Sequence, residues 1–155
     1  MAIIKTFKFF KVSSNDVMKL TIDQVMKKGV EAHKAGKLQE ADRYYTAILK
    51  AQPKHPDANH NMGVLAVGLG KVQEALPFFK TALEANPNSA QYWLSYMDAL
   101  IKLNRMDDAK AVFNQAKSKG VKGTGFEQIE KRLIGLEKGL EVNVESNKSK
   151  EPPED

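Results

Sequence analysis

Gly36-Lys37-Leu38-Gln39-Glu40-Ala41 and Gly70-Lys71-Val72-Gln73-Glu74-Ala75 are nearly the same hexapeptide written twice, and a more worn copy stands at Asn104-Arg105-Met106-Asp107-Asp108-Ala109. Ala41, Ala75 and Ala109 lie 34 residues apart. Four residues beyond each comes an aromatic: Tyr45, Phe79 and Phe113. Pro53 and Pro87 close the first two copies at the same spacing. A period of this length marks a stack of supersecondary units, each unable to bury its apolar face alone.

Every unit reads as two helices. The amphipathic run Val25-Met26-Lys27-Lys28-Gly29-Val30-Glu31-Ala32 is followed by Gly36, and its counterpart by Gly70. Glycine there tolerates the left-handed backbone that stops a helix. The second helix carries the alanine and the aromatic at i and i+4, hence on one face. The small alanine lets two helices approach, and the ring fills the space beside it. Pro56-Asp57 after Pro53, and Asn88-Ser89 after Pro87, suit the turn into the following helix.

These residues resemble the tetratricopeptide repeat (TPR) family. Its motif has a small pair in the first helix, a glycine at the bend, the alanine–aromatic pair and a closing proline. Met62-Gly63, Gly70, Ala75, Phe79, Ala82 and Pro87 match it in the second unit. Gly29, Ala32, Gly36, Ala41, Tyr45 and Pro53 match in the first, with Ile48 where a third alanine is usual. The third unit has the family's Trp93 but departs at Met97, Asn104 and Val121, which stand for the small residue, the bend glycine and the proline. The resemblance implies an all-α fold: a right-handed superhelical solenoid of three helix-turn-helix units at 22–55, 56–89 and 90–123.

The flanks complete the expected organisation. In Thr124-Gly125-Phe126-Glu127, Thr124 reads as an N-cap with Glu127 completing a capping box. Phe126, Ile129, Leu133, Leu136 and Leu140 then form one apolar stripe at helical spacing, so 124–141 is expected to be a capping helix that covers the open end of the solenoid. Residues 142–155 are polar, with Pro152-Pro153, and read as a disordered tail. The arm at 1–20 is basic and aromatic, and its Ile3, Ile4, Phe7, Phe9 and Phe10 are too apolar to lie free in water. Burying one such phenylalanine is worth roughly 1.5–3 kcal/mol. The expectation is that the arm packs on the solenoid or in a neighbouring copy's groove, giving self-association.

Composition narrows the function classes. The chain has 155 residues, 42% of them hydrophobic, which fits one domain with a core. Without cysteine there is no disulfide framework, thiolate zinc site or cysteine nucleophile. The stretch Ala58–Gly70 is nearly uncharged for 13 residues, short of the roughly 20 a membrane span needs. Lysines interrupt the N-terminal apolar run, so no secretory segment is expected and a cytoplasmic location is. The net charge of +5 divides into a basic arm, a mildly basic middle and an acidic tail. Lysine-rich and spread over helix faces, it does not make a nucleic-acid site.

By the resemblance, the first helices line a concave groove that binds a peptide. The expected contact residues are Met26, Lys27, Val30, His60, Asn61, Val64, Leu94, Ser95 and Asp98, with Asp23, His33, Lys34, Asp57, Val67, Gln91 and Lys102 around them. Chaperone-binding members of the family hold a terminal carboxylate with lysines, asparagines and an arginine. The matching positions here are Met26, Val30, Asn61, Gln91 and Ser95. Only Asn61 fits, and without cations there is no charge-assisted clamp. The asparagine ladder of sugar transferases also finds only Asn61, with Lys27 and Ser95 at its other places. A mixed groove of this kind suits an amphipathic helix or an extended apolar segment.

Catalytic and metal chemistry find less support. His55, Asp57 and His60 invite a metal reading, but His55 falls in an inter-unit turn and no fourth ligand is apparent; turn and surface histidines are the expectation. No nucleophile elbow or phosphate-cradling glycine loop occurs. The expected protein is a non-catalytic protein–protein interaction scaffold that binds a protein or peptide, with no cofactor, metal, nucleic acid, membrane or small-molecule substrate. The alternative is an N-terminal substrate-presenting or oligomerising segment of a larger enzyme such as a glycosyltransferase. That alternative rests on Ala35–Ala41 and Ala51–Ala58, whose wording resembles bacterial TPR arrays that precede catalytic domains.

Overall fold

The computed structural model describes residues 20–148, and these form helices without a strand among them. Three helical hairpins follow one another: α1 (Ile22–Lys34) with α2 (Leu38–Ala51), α3 (Pro56–Gly68) with α4 (Val72–Ala85), and α5 (Ala90–Lys102) with α6 (Met106–Ser118). A longer helix, α7 (Thr124–Lys148), follows them. Packing is strongest between consecutive helices, and it also joins the first helices in series, α1 to α3, α3 to α5 and α5 to α7. The result is a solenoid with a row of first helices along one face.

Each hairpin turns by the same device. Gly36 and Gly70 adopt φ of 73° and 76°, and Asn104 takes the equivalent place at 58°. The two residues around each bend then reach back into the first helix. Gly36 N–H bonds His33 O at 3.0 Å, and Lys37 N–H bonds Ala32 O at 2.9 Å. The same pair of bonds recurs at Gly70 and Lys71, and at Asn104 and Arg105. This Schellman closure satisfies carbonyls the helix end would otherwise orphan. Asparagine, which tolerates the left-handed region better than other side-chain-bearing residues, substitutes for glycine in the third bend.

The alanine–aromatic pairs form the centre of the hairpins. Ala41, Ala75 and Ala109 are fully buried, and Tyr45, Phe79 and Phe113 are buried beside them. Gly29 lies so close to the Tyr45 ring that a Cβ would stand 2.6 Å from Cε1. In the third hairpin the fully buried Met97 takes the place of the small residue. Phe113 instead meets Phe126 of α7 at 6.2 Å between ring centroids.

The turns between hairpins share a hydrogen bond despite different residues. Asn59 Nδ2 donates to Pro53 O at 3.0 Å, and Trp93 Nε1 donates to Pro87 O at 2.7 Å. Asn59 and Trp93 occupy the same place in successive units, each six residues past its proline. Trp93 is therefore a buried packing residue with its indole N–H satisfied, and Tyr92 beside it is buried too.

The flanks differ from expectation in two respects. Helix α7 includes Thr124 as its first residue and follows Gly123 at φ 151°, so Thr124 lies inside the helix instead of capping it from outside. The helix also continues past Glu141 to Lys148. Val142–Lys148 is polar but holds no glycine or proline to interrupt propagation. At the other end, Thr21 and Gln24 form a reciprocal capping box that the sequence reading passed over. Of the arm at 1–20 only Leu20 is described, packed against the cluster of Val25, Ile48 and Ala58. The expected packing of Ile3, Ile4, Phe7, Phe9 and Phe10 and the end of the tail at 149–155 therefore lie outside the described residues.

Candidate functional site

The first helices place the expected site residues on one face. The 34-residue period sets Met26, His60 and Leu94 in register, with Lys27, Asn61 and Ser95 beside them, then Val30, Val64 and Asp98. The period also runs on into α7, where Gln128, Ile129 and Arg132 continue these three rows. The four helices α1, α3, α5 and α7 therefore build the face, not three.

Several polar groups on this face form hydrogen bonds across the helix row. His60 Nε2 meets Ser95 Oγ at 2.8 Å, and its ring stacks on Tyr92 at 4.8 Å between centroids, inclined by 25°. Tyr92 OH donates to Asp57 Oδ1. Asn61 Nδ2 lies 3.5 Å from Met26 Sδ. Asp98 Oδ1 accepts from Arg132 Nη1 at 2.9 Å, and Asp98 Oδ2 lies 3.0 Å from Lys102 Nζ. Each bridge between helices joins residues 34 or 35 apart.

Burial tunes three of these groups. His60 is only 9% exposed, and burial pushes its pKa down, against opposing contributions from Asn61 and the Asp57 carboxylate. His60 is therefore not the surface histidine expected from the sequence. Burial, reinforced by the Asp57 hydrogen bond and charge, holds the Tyr92 hydroxyl far above its ordinary range. Burial pushes the Asp98 carboxyl up, but the hydrogen bonds and charges of Arg132 and Lys102 outweigh it and leave the pKa below normal. His55, the other half of the metal reading, caps α3: its Nδ1 accepts from Ala58 N–H at 3.2 Å.

The apolar members sit between these bonds. Met26, Val30, Val64 and Val67 are half-buried. Leu94 is also half-buried and lies under the cap, where a Cβ on Gly125 would stand 2.5 Å from its Cδ1. Lys27 is exposed. The part of the site that sequence reasoning missed is the contribution of α7, above all Arg132. The signal for it was present: Asp98 and Arg132 are one period apart.

The family model described as tetratricopeptide repeat matches residues 32–94 and 66–122. The chain belongs to the tetratricopeptide repeat family. Comparison with curated proteins gives no significant match. Among solved structures, this TPR fold is similar to the TPR2B domain of yeast Sti1 in complex with pHsp70, at 17% identity and a TM-score of 0.67, covering 74% of this chain and 97% of that one. It is also similar to the first TPR of Spaghetti (RPAP3) bound to the HSP90 peptide SRMEEVD, at 19% identity and a TM-score of 0.67, covering 74% and 91%. The Sgt2 TPR domain from Aspergillus fumigatus matches at 20% identity and a TM-score of 0.64, covering 86% of each chain. At these identities the likeness is one of fold.

Proposed function

We propose that this TPR chain is a non-catalytic scaffold for protein–protein interaction, and that the face of α1, α3, α5 and α7 receives an apolar segment of the partner. The observation that carries this reading is the internal pairing of the face's polar groups. His60 with Ser95, Tyr92 with Asp57, and Asp98 with Arg132 and Lys102 are engaged before any ligand arrives. Between these pairs the face offers the half-buried apolar strip of Met26, Val30, Val64 and Val67. An amphipathic helix or extended apolar segment covers such a strip without leaving buried polar groups unpaired.

Similar structures in complex with pHsp70 and with an HSP90 peptide support a protein-binding role. The chaperone clamp itself is not reproduced, because Met26, Val30, Gln91 and Ser95 supply no cation at its positions.

Capture of partners on immobilised chain, compared with Val64→Glu and Asn61→Ala, tests the proposal. Val64→Glu is expected to lose partners that the wild type retains while keeping its helical circular dichroism. Retention of every partner by both variants rules out this face. Self-association through the arm is a separate proposal. Removing residues 1–12 is expected to lower the mass seen by light scattering or to lower stability, and an unaltered monomer of unaltered stability rules it out.

A further inference from the structure

We propose that the junction of α5 with α7 anchors an acidic side chain of the partner segment. This anchor presupposes the binding face described above, and adds to it the sign of the partner's charge and the place where that charge docks.

One carboxylate meets two cations at this junction. Lys102 and Arg132 both direct their ion pairs to Asp98, one on each oxygen, at 3.0 and 2.9 Å. The cluster carries one surplus positive charge, and both cationic side chains remain 47% exposed. Arginine has five N–H donors in a planar fork, and the bond to Asp98 uses Nη1. A second carboxylate therefore finds donors already aimed and partly desolvated.

Arg132 and Asp98 both line a hollow of about 280 Å³. Leu94 and Ile129 give it an apolar floor, and the Gln91 and Gln128 amides border it. Gly125 also lines it, and a Cβ there would stand 2.5 Å from Leu94 Cδ1. An apolar side chain fills the hollow while an acidic neighbour on the same segment reaches Arg132 and Lys102.

The wider face shares this polarity in part, since the last turn of α3 has no basic residue and the first turn of α5 no acidic one. Asp23 and Asp57 stand in the first turns of α1 and α3, whereas Lys34 and Lys102 stand in the last turns of α1 and α5. Arg132 lies in the row of Asp98, towards this basic rim. A partner that is acidic along one edge is steered to that rim. The chain's own N-terminal arm, with Lys5, Lys8 and Lys11, has the wrong sign for it.

The probe is a labelled amphipathic peptide of Leu, Ala and Glu, set against a twin with Gln for every Glu. Wild-type chain is expected to bind the Glu peptide about fivefold more tightly at low salt, with the advantage fading as salt screens it. Arg132→Gln and Lys102→Gln are each expected to reduce the preference without affecting the Gln twin. Equal binding of the two peptides by the wild type, or an unchanged preference in both variants, overturns the anchor and leaves the apolar face standing. Binding of neither peptide overturns the face as well. If a chain lacking residues 149–155 binds the Glu peptide more tightly than the full chain, the acidic C-terminus is the occupant and the external partner is overturned.

Discussion

Gly63 lies against the face of Phe79 so closely that a Cβ would stand 2.5, 2.8 and 2.9 Å from three atoms of the ring. Phe79 is itself buried, so the ring cannot swing aside without disturbing its neighbours. Gly63→Ala is expected to lower stability by about 1–3 kcal/mol, as overpacking outweighs the better helix propensity of alanine. Gly68 has open space around it, so Gly68→Ala in the same helix is expected to be neutral or stabilising by up to about 1 kcal/mol. Urea denaturation of the pair checks both signs.

Asn104 holds the third bend at φ 58°. A side chain in this region costs about 1–2 kcal/mol unless it is asparagine or aspartate. Asn104→Ala is expected to lower stability by about 1 kcal/mol, and Asn104→Gly to leave it equal or higher. A thermal midpoint for Asn104→Ala equal to wild type overturns the strained-bend reading.

His60 makes stability depend on mild acid. Burial depresses its folded pKa below the 6.5 of the unfolded chain, so the unfolded state takes up the proton first. The contribution is full above that unfolded value and is lost as pH falls through the folded value. Asp98 is also depressed, below 3.8, and its contribution is lost only in stronger acid. Comparing denaturation at neutral and mildly acidic pH, the wild type is expected to lose more stability than His60→Gln. Identical losses mean that His60 is not the titrating group.

Pro77 sits in the interior of α4, where it supplies no N–H to the carbonyl four residues earlier. The residue is exposed, so nothing in the core requires its ring. Pro77→Ala is expected to stabilise by about 2 kcal/mol, the helix gain exceeding the freedom returned to the unfolded chain. A lower urea midpoint for Pro77→Ala indicates that the ring makes contacts worth more than the missing bond.

The hairpins were legible because alanine, aromatic, bend glycine and proline recur together, and each has one physical task. Gly36 and Gly70 do take the left-handed backbone, and Ala41, Ala75 and Ala109 are buried. The fourth first helix was harder to see. In α7 the row of Gly29, Gly63 and Met97 continues as Lys131, and the row of Ala32, Ala66 and Leu100 as Ile134, which is 46% exposed. The small and buried types that mark a first helix are absent, and among the described residues no second helix packs there, although the spacing persists. The burial of His60 was illegible for another reason. Helix α3 is packed by neighbours on several sides, so its residues do not divide cleanly into a wet face and a dry one, and a polar residue gives no sign of where it lies.

The hydrogen bonds that span one period, Asn61 to Met26, His60 to Ser95 and Asp98 to Arg132, tie each unit to the next and to nothing further. Loss of order can therefore start at either end and stop at a seam, with the remaining units still folded. Amide protons of α3 and α4, which have a unit on both sides, are the ones that should exchange last, while those of α1 and α7 go early. Occupation of the shared face bridges several seams at once, so a bound segment would slow exchange at the ends more than in the middle.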